Sequence, residues 1–259
     1  MAKVFDRVLV DEEGRVAVLA FHHPEVMNAV SAPMIAGAMA ALDFIESEGR
    51  LRALVLTGTG KAFCAGANLA EVPPGLSAGD MLEQVYHPFL RRLRDFPLPV
   101  VAAVNGAAAG IGMSFALTAD LCIAARSAFF QLGFSRIGLV PDGGSSWLLP
   151  RLIGLARAKD LALLSEKLPA EKALAWGLIN GVADDDQLSA EAVALATKLA
   201  DGPASLRLTR RLFWESPGNS YEEQLALEQA AQQEASQSAD FQEGLIAFHQ
   251  KRPPRFTGK

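Results

Sequence analysis

The chain has 259 residues, 24 Lys+Arg against 29 Asp+Glu, a formal net charge of −5 and two cysteines. Half of the residues are hydrophobic, so this is a folding chain long enough for one large domain, or one domain with an appendage, and not a disordered one. The acidic balance argues against a nucleic-acid surface, and Cys64 and Cys122 lack the spacing of a zinc site or a disulfide framework, which fits a reducing, cytoplasmic setting.

The opening MAKVFDRVLVDEEG carries charges every few residues and does not read as a secretory signal. Lys3–Val10 and Arg15–Phe21 are expected to be strands joined by the turn Asp11–Gly14. Pro33–Ser47 has apolar residues at helical spacing, with Ser31 as its expected N-cap. A short apolar strand follows at Arg52–Thr57. Met81–Phe96 has helical periodicity, with Leu82, Val85, Phe89 and Leu93 on one face. Phe96–Ala119 contains no charged residue, but its Pro97, Pro99, Asn105, Gly106, Gly110, Gly112 and Ser114 suit a buried strand (Val100–Val104), a glycine-broken turn and a buried helix from about Gly110 better than a membrane span. Asp120–Ala125 is a further buried strand. Strands this apolar on both faces belong to an α/β sheet covered by helices. From Ser145 onward the pattern is helical, with one strand at Leu178–Val182. Amphipathic helices over 203–250 are stopped by Lys251-Arg-Pro-Pro254.

Familiar nucleotide motifs fail. Gly58-Thr-Gly60-Lys61 has Val55 where a P-loop needs glycine and Ala62 where it needs Ser or Thr. Gly110-Ile-Gly112 lacks the third glycine of a dinucleotide fingerprint. His22, His23, His87 and His249 form no catalytic arrangement, and the default for each is a surface or structural role. Two small-residue turns remain, Phe63–Asn68 and Asn105–Gly112, each after a strand. Such turns let a ligand approach backbone N–H groups, and two on adjacent strands can aim two donors at one oxygen. The same glycines also serve tight packing, and spacing alone leaves both readings open.

His23-Pro-Glu-Val-Met-Asn-Ala29, Ala62-Phe-Cys-Ala-Gly-Ala-Asn-Leu69, Val104-Asn-Gly106 with Gly110-Ile-Gly112, Gly138-Leu-Val-Pro-Asp-Gly-Gly144 and the ending Lys251–Gly258 occur in order over nearly the whole chain. Together they resemble the crotonase (enoyl-CoA hydratase/isomerase) superfamily. The resemblance implies an α/β, crotonase-like spiral of ββα units over residues 1–200, a C-terminal helical oligomerisation region over 201–259, and a homotrimer or hexamer. It also implies an acyl-CoA thioester substrate, no metal or redox cofactor, and no nucleic-acid or membrane partner. By position, the oxyanion-binding N–H groups map to Ala67 and Ile111. CoA would run past Met27, Ala29 and the backbone of Ala65, Gly66, Asn68 and Leu69. Glu25 and Val26 stand where relatives often carry a basic residue, which leaves Lys251 and Arg252 as candidates for the CoA phosphates.

Hydratases of the superfamily use two glutamates. Those positions fall at Ser114 and Phe134, neither of which titrates near neutral pH. Asp142 is the remaining carboxylate. Locally, Pro-Asp-Gly is a turn signature and Asp142 could cap the next helix. The resemblance instead makes Asp142 the single acid/base, since enoyl-CoA isomerases carry their carboxylate here and Phe134–Arg151 looks especially like the phenylacetate-pathway ring-epoxide isomerases. The expected activity is therefore isomerisation of a 3-enoyl-CoA or of a ring-epoxide phenylacetyl-CoA. An enoyl-CoA hydratase is the enzyme alternative, and a non-catalytic CoA-thioester-binding protein the alternative of another class.

Overall fold

The computed structural model describes residues 2–72 and 74–259. Strands β1 (Lys3–Phe5), β2 (Val8–Glu13) and β3 (Val16–Phe21) form an antiparallel meander, followed by helix α1 (Ala32–Ser47). A repeating pattern then begins. Strands β4 (Ala53–Gly58) and β5 (Ala62–Cys64) lead to helices α2 (Ala78–Met81) and α3 (His87–Arg94), with a π-helical turn, Leu82–Tyr86, between them. Strands β6 (Val100–Val104) and β7 (Ala107–Ala109) lead to α4 (Ile111–Thr118). Strands β8 (Leu121–Ala125) and β9 (Phe129–Gln131) lead to α5 (Ser145–Ile153) and α6 (Leu155–Leu164). β10 (Leu168–Pro169), α7 (Ala170–Trp176), β11 (Gly181–Ala183) and α8 (Leu188–Ala200) close the sheets. Helices α9 (Leu206–Glu215), α10 (Tyr221–Ala235) and α11 (Ala239–Gln250) end the chain.

Each ββα unit gives its first strand to one sheet and its second to another. The seven-stranded sheet has the order β1-β2-β3-β4-β6-β8-β11 and is parallel from β3 onward; the four-stranded sheet runs β10-β9-β7-β5. Coil therefore stacks on coil: Leu54 pairs with Val100, Val101 with Leu121, and Ala62 with Ala107. β6 is buried along its whole length, as a strand between two parallel neighbours under helices must be. Phe21, Phe63, Phe89 and Phe115 pack edge-on or tilted at 5.0–6.3 Å, joining β3, β5, α3 and α4 in one aromatic core.

The expected spiral and its helical tail are present, with local corrections. The first expected strand is broken at Asp6-Arg7, and the meander turns at Gly14-Arg15, so Asp11–Glu13 stays in β2. Alternating burial continues through these acidic residues because they lie where the meander meets solvent. Ser31 occupies the N-cap position of α1 but makes no capping bond; its hydroxyl accepts from Arg7 Nη1 at 2.7 Å instead. The strand expected at Leu178–Val182 begins only at Gly181, after the C-cap glycine of α7 at Gly177.

The tail is tied to the core through buried polar groups. Arg210 on α9 donates to Asp120 Oδ2 at 2.6 Å and to the carbonyl of Phe96, while Asp120 also accepts from Val100 N–H at 2.7 Å. Removing either partner would leave a buried charge uncompensated. Asp240, itself buried, accepts from the N–H groups of Ala204, Thr257 and Gly258, clipping the last residues beneath α11. Among the described residues, no helix is long and apolar enough to cross a membrane, and no group of three or more His, Cys, Asp or Glu side chains could hold a metal ion.

Candidate active site

The chain after β5 and the chain after β7 meet through glycine. A Cβ on Gly66 (φ +103°) would lie 3.2 Å from the Ala109 carbonyl oxygen and 3.8 Å from Gly110 Cα. Gly110 itself sits at φ +51°. Val30 N–H donates to the Gly66 carbonyl and Asn68 N–H to the Val30 carbonyl, both at 2.7 Å. In this parallel bridge Ala67 therefore turns its own N–H away from Val30. Ile111 opens α4, and its N–H has no acceptor within that helix. Two main-chain donors thus follow two touching glycines, an arrangement able to hold one oxyanion. Packing accounts for other glycines of the same motifs: a Cβ on Gly106 would lie 2.1 Å from the Lys61 carbonyl oxygen, and one on Gly112 would lie 2.5 Å from that of Cys64.

The segment before α1 runs alongside. Ala65 N–H donates to the Met27 carbonyl at 3.0 Å. Buried Asn28 accepts from His23 N–H at 2.8 Å and donates to the carbonyls of Thr59 at 2.9 Å and Ala62 at 2.7 Å. This side chain holds Met27 and Asn28 at positive φ and brings Met27–Ala29 against Ala65–Asn68. Met27 and Leu69 are exposed, Ala29 is buried, and Asn68 caps the turn Leu69–Glu71 by accepting from Ala70 N–H. Lys251 stands apart: it ends α11, and among the described residues no hydrogen bond or ion pair links it to these segments. Arg252 is occupied by a two-pronged bond to Glu243, at 2.6 and 2.9 Å.

Asp142 approaches from the loop before α5. A Cβ on Gly143 would lie 2.4 Å from Ile111 Cδ1 and 2.7 Å from Ser114 Cβ, so this loop rests on the first turn of α4. The Asp142 carbonyl accepts from Ser114 Oγ at 3.1 Å, Ser145 Oγ at 2.8 Å and Ser145 N–H at 3.0 Å. Its side chain is not the helix cap; that position belongs to Gly144, and Asp142 Oδ1 is buried without a hydrogen-bond partner. Burial pushes the Asp142 carboxyl up to about 6, against an opposing pull from nearby His87. Tyr86, also buried, is pushed up to about 12 by burial and by the Asp142 charge, and burial pushes the Cys64 thiol up to about 12, which leaves it inert.

A family model described as "Enoyl-CoA hydratase/isomerase" matches residues 11–259. The chain belongs to the enoyl-CoA hydratase/isomerase family. It is 47% identical over 245 residues to a "Probable enoyl-CoA hydratase" of Rhodobacter capsulatus, covering 94% of this chain and 95% of the relative. It is 43% identical over 258 residues to the "1,2-epoxyphenylacetyl-CoA isomerase" of Escherichia coli, covering 97% and 98%. A crystal structure of an enoyl-CoA hydratase from Polaromonas sp. JS666 superposes with a TM-score of 0.90 at 34% identity, covering 96% of this chain and 99% of that one.

Within this family member, Ala67, Ile111 and Asp142 lie on three segments that touch, and the segment with Met27 and Ala29 runs against that with Ala65, Gly66, Asn68 and Leu69. Ser114 is fully buried under Asp142, and the tip of the buried Phe134 ring comes within 3.8 Å of where a Gly110 Cβ would sit. Sequence reasoning missed His87, which lines a cavity of about 270 Å³ together with Thr118, Gly143, Gly144, Trp147 and Trp214. Its signal was present in Glu83, four residues earlier on the same helix face, which accepts from His87 Nδ1 at 2.9 Å.

Proposed function

We propose that this protein is an acyl-CoA isomerase that moves a double bond through a thioester enolate, with Asp142 as its single acid/base. The observation that carries this reading is the half-buried Asp142 carboxylate, with one unpartnered oxygen and a raised proton affinity, resting on the helix turn that begins at Ile111. A base with a pKa near 6 is ionised at neutral pH and still holds a proton well enough to return it. The thioester oxygen of a 3-enoyl-CoA lies between the N–H groups of Ala67 and Ile111. Asp142 takes a proton from C2, negative charge moves onto that oxygen, and Asp142 returns the proton at C4 to give the conjugated 2-enoyl-CoA. The two N–H donors contribute about 3 kcal/mol each to this step. Met27, Ala29 and the Ala65–Leu69 backbone take the CoA moiety, with Lys251 of the same or an adjacent subunit near its phosphates. No metal or redox cofactor takes part in this scheme.

Ser114 and Phe134, standing where resemblance puts the two hydratase glutamates, support isomerisation over hydration. The identity to the Rhodobacter capsulatus relative favours the second reading, an enoyl-CoA hydratase, and the Escherichia coli relative favours a ring-epoxide acyl group over an aliphatic one. Incubation with 3-hexenoyl-CoA and with crotonyl-CoA tests the assignment. An isomerase turns over the first, a hydratase hydrates the second, and a protein that only binds CoA thioesters acts on neither. Exposed Leu152, Leu155, Leu163 and Phe213 support self-association, which we read as a homotrimer or hexamer, and sedimentation giving only a monomer at micromolar concentration would refute that assembly.

A further inference from the structure

Proton transfer by Asp142 leaves His87 without a task, yet His87 is held in place by Glu83 in a cavity that it lines together with Gly143, the residue after Asp142. Its helix opens on a capping box, in which Ser77 Oγ accepts from Asp80 N–H at 3.2 Å and Asp80 Oδ2 accepts from Ser77 N–H at 2.9 Å. The helix then widens into the π-turn Leu82–Tyr86 and returns to α geometry at His87, just before Pro88. Such single π-turns are concentrated at functional sites because they rotate the following side chains out of register. Here the residues brought round are Tyr86, buried beside Asp142, and His87.

The tautomer of His87 is fixed by its neighbour. Glu83 Oε2 accepts from Nδ1 at 2.9 Å, and Arg91 donates to the same carboxylate at 3.1 and 3.4 Å, which keeps Glu83 ionised. Nδ1 therefore carries hydrogen, and Nε2 is the free atom. Among the described residues Nε2 makes no hydrogen bond. His87 shares the lining of its cavity with Gly143, the neighbour of Asp142, with Arg91 and Arg94, and with the Trp147–Trp214 pair, stacked at 5.8 Å with 8° between the rings. The cavity borders Gly143 and Gly144, the two residues that follow Asp142, so a group extending past the Asp142 carboxylate meets it.

We infer that His87, held by Glu83, is a specificity-determining residue that recognises an oxygen function on the acyl group beyond C3, and that the substrates are acyl-CoA thioesters with an oxygenated ring rather than plain alkenoyl chains. The inference rests on the isomerase reading above, with Asp142 as base. A hydrocarbon chain entering the cavity would strip water from Nε2 and offer nothing in return, a penalty that discriminates strongly against analogues lacking the polar group. A hydroxyl or ring oxygen restores that bond, and the flat indole pair suits a ring face.

The test uses a matched pair of 3-enoyl thioesters, (cyclohex-1-enyl)acetyl-CoA and its 6-hydroxy derivative. The wild-type protein is expected to prefer the hydroxylated substrate by about tenfold or more in kcat/KM, chiefly through KM. In His87→Phe the ratio falls to about one, whichever way the absolute rates move. His87→Asn, which keeps a hydrogen-bonding group, retains part of the preference and serves if the Phe variant folds poorly. No preference in the wild type, or a His87→Phe variant that slows both substrates alike, overturns the inference. Asp142→Asn reports separately: loss of both turnovers supports the base, and retained turnover removes it. In either case, calorimetric affinities of the pair for Asp142→Asn still read the contribution of His87.

Discussion

The turns after β5 and β7 and the loop before α5 arrive at the same place by opposite means. The turns contribute main-chain N–H groups, following two paired strands, of which β7 is hydrogen-bonded on both sides and β5 on one, and no side chain is needed except the absence of one at Gly66 and Gly110. The loop contributes a carboxylate whose oxygen Oδ1 is denied a partner, held through its own carbonyl by Ser114 and Ser145. The first half is preorganised and indifferent to most substitution. The second is energetically uncomfortable, and that discomfort is what raises its proton affinity. A family can keep the first half and change the reaction by altering a few side chains of the second.

That contrast can be broken at either end. Asp142→Asn is expected to fold and bind CoA thioester while isomerisation falls by on the order of a hundredfold or more, the scale of a lost general base. Deuterium wash-in at C2, followed by mass spectrometry, should stop with it. Ala67→Pro removes one main-chain donor that serves no bond in the Val30 bridge, and kcat should drop by about a hundredfold. By contrast, Ile111→Val, which keeps the N–H, should change kcat less than about threefold and reduce stability by about 1 kcal/mol.

The pH response separates the halves again. Asp142 must be ionised to act, so kcat should decline roughly tenfold per unit as pH falls below about 6. For stability the sign is opposite. The folded state holds the Asp142 proton more tightly than the unfolded chain does, so this group's favourable contribution is present at acid pH and lost as pH rises through about 6. Asp142→Asn should therefore melt higher than wild type at about pH 8, by roughly 2–4 °C per kcal/mol relieved, with the gain vanishing below about pH 4. Calorimetric scans at the two pH values measure the difference.

Much of this was legible because it is written in patterns longer than a turn. Val100–Val104 emerges as a strand with its bounds intact, since five buried apolar residues between Pro99 and Asn105 admit little else. The glycine turns are legible because Gly is the residue that lets two backbones touch. The short strands β7, β9 and β10 are not, because two or three residues carry no period. Nor is the π-turn, which inserts one residue into a helix without changing its composition. Asp142 was locally ambiguous because Pro-Asp-Gly marks a turn whichever atoms serve it. Here the carbonyl takes the turn bonds and the carboxylate is left free. His87 was hidden by the ordinariness of a lone histidine on an amphipathic helix.

Coil-on-coil stacking also sets the order in which this molecule can come into being. Leu54 waits for Val100, and Val101 for Leu121, so each pairing must close a long loop before its hydrogen bonds form. Ala67 arrives with the first coil, Ile111 with the second, and Asp142 only after the third strand pair has been laid down. The Ala67 and Ile111 N–H groups and the Asp142 carboxylate thus belong to three successive coils, and only the stacking of all three brings them together.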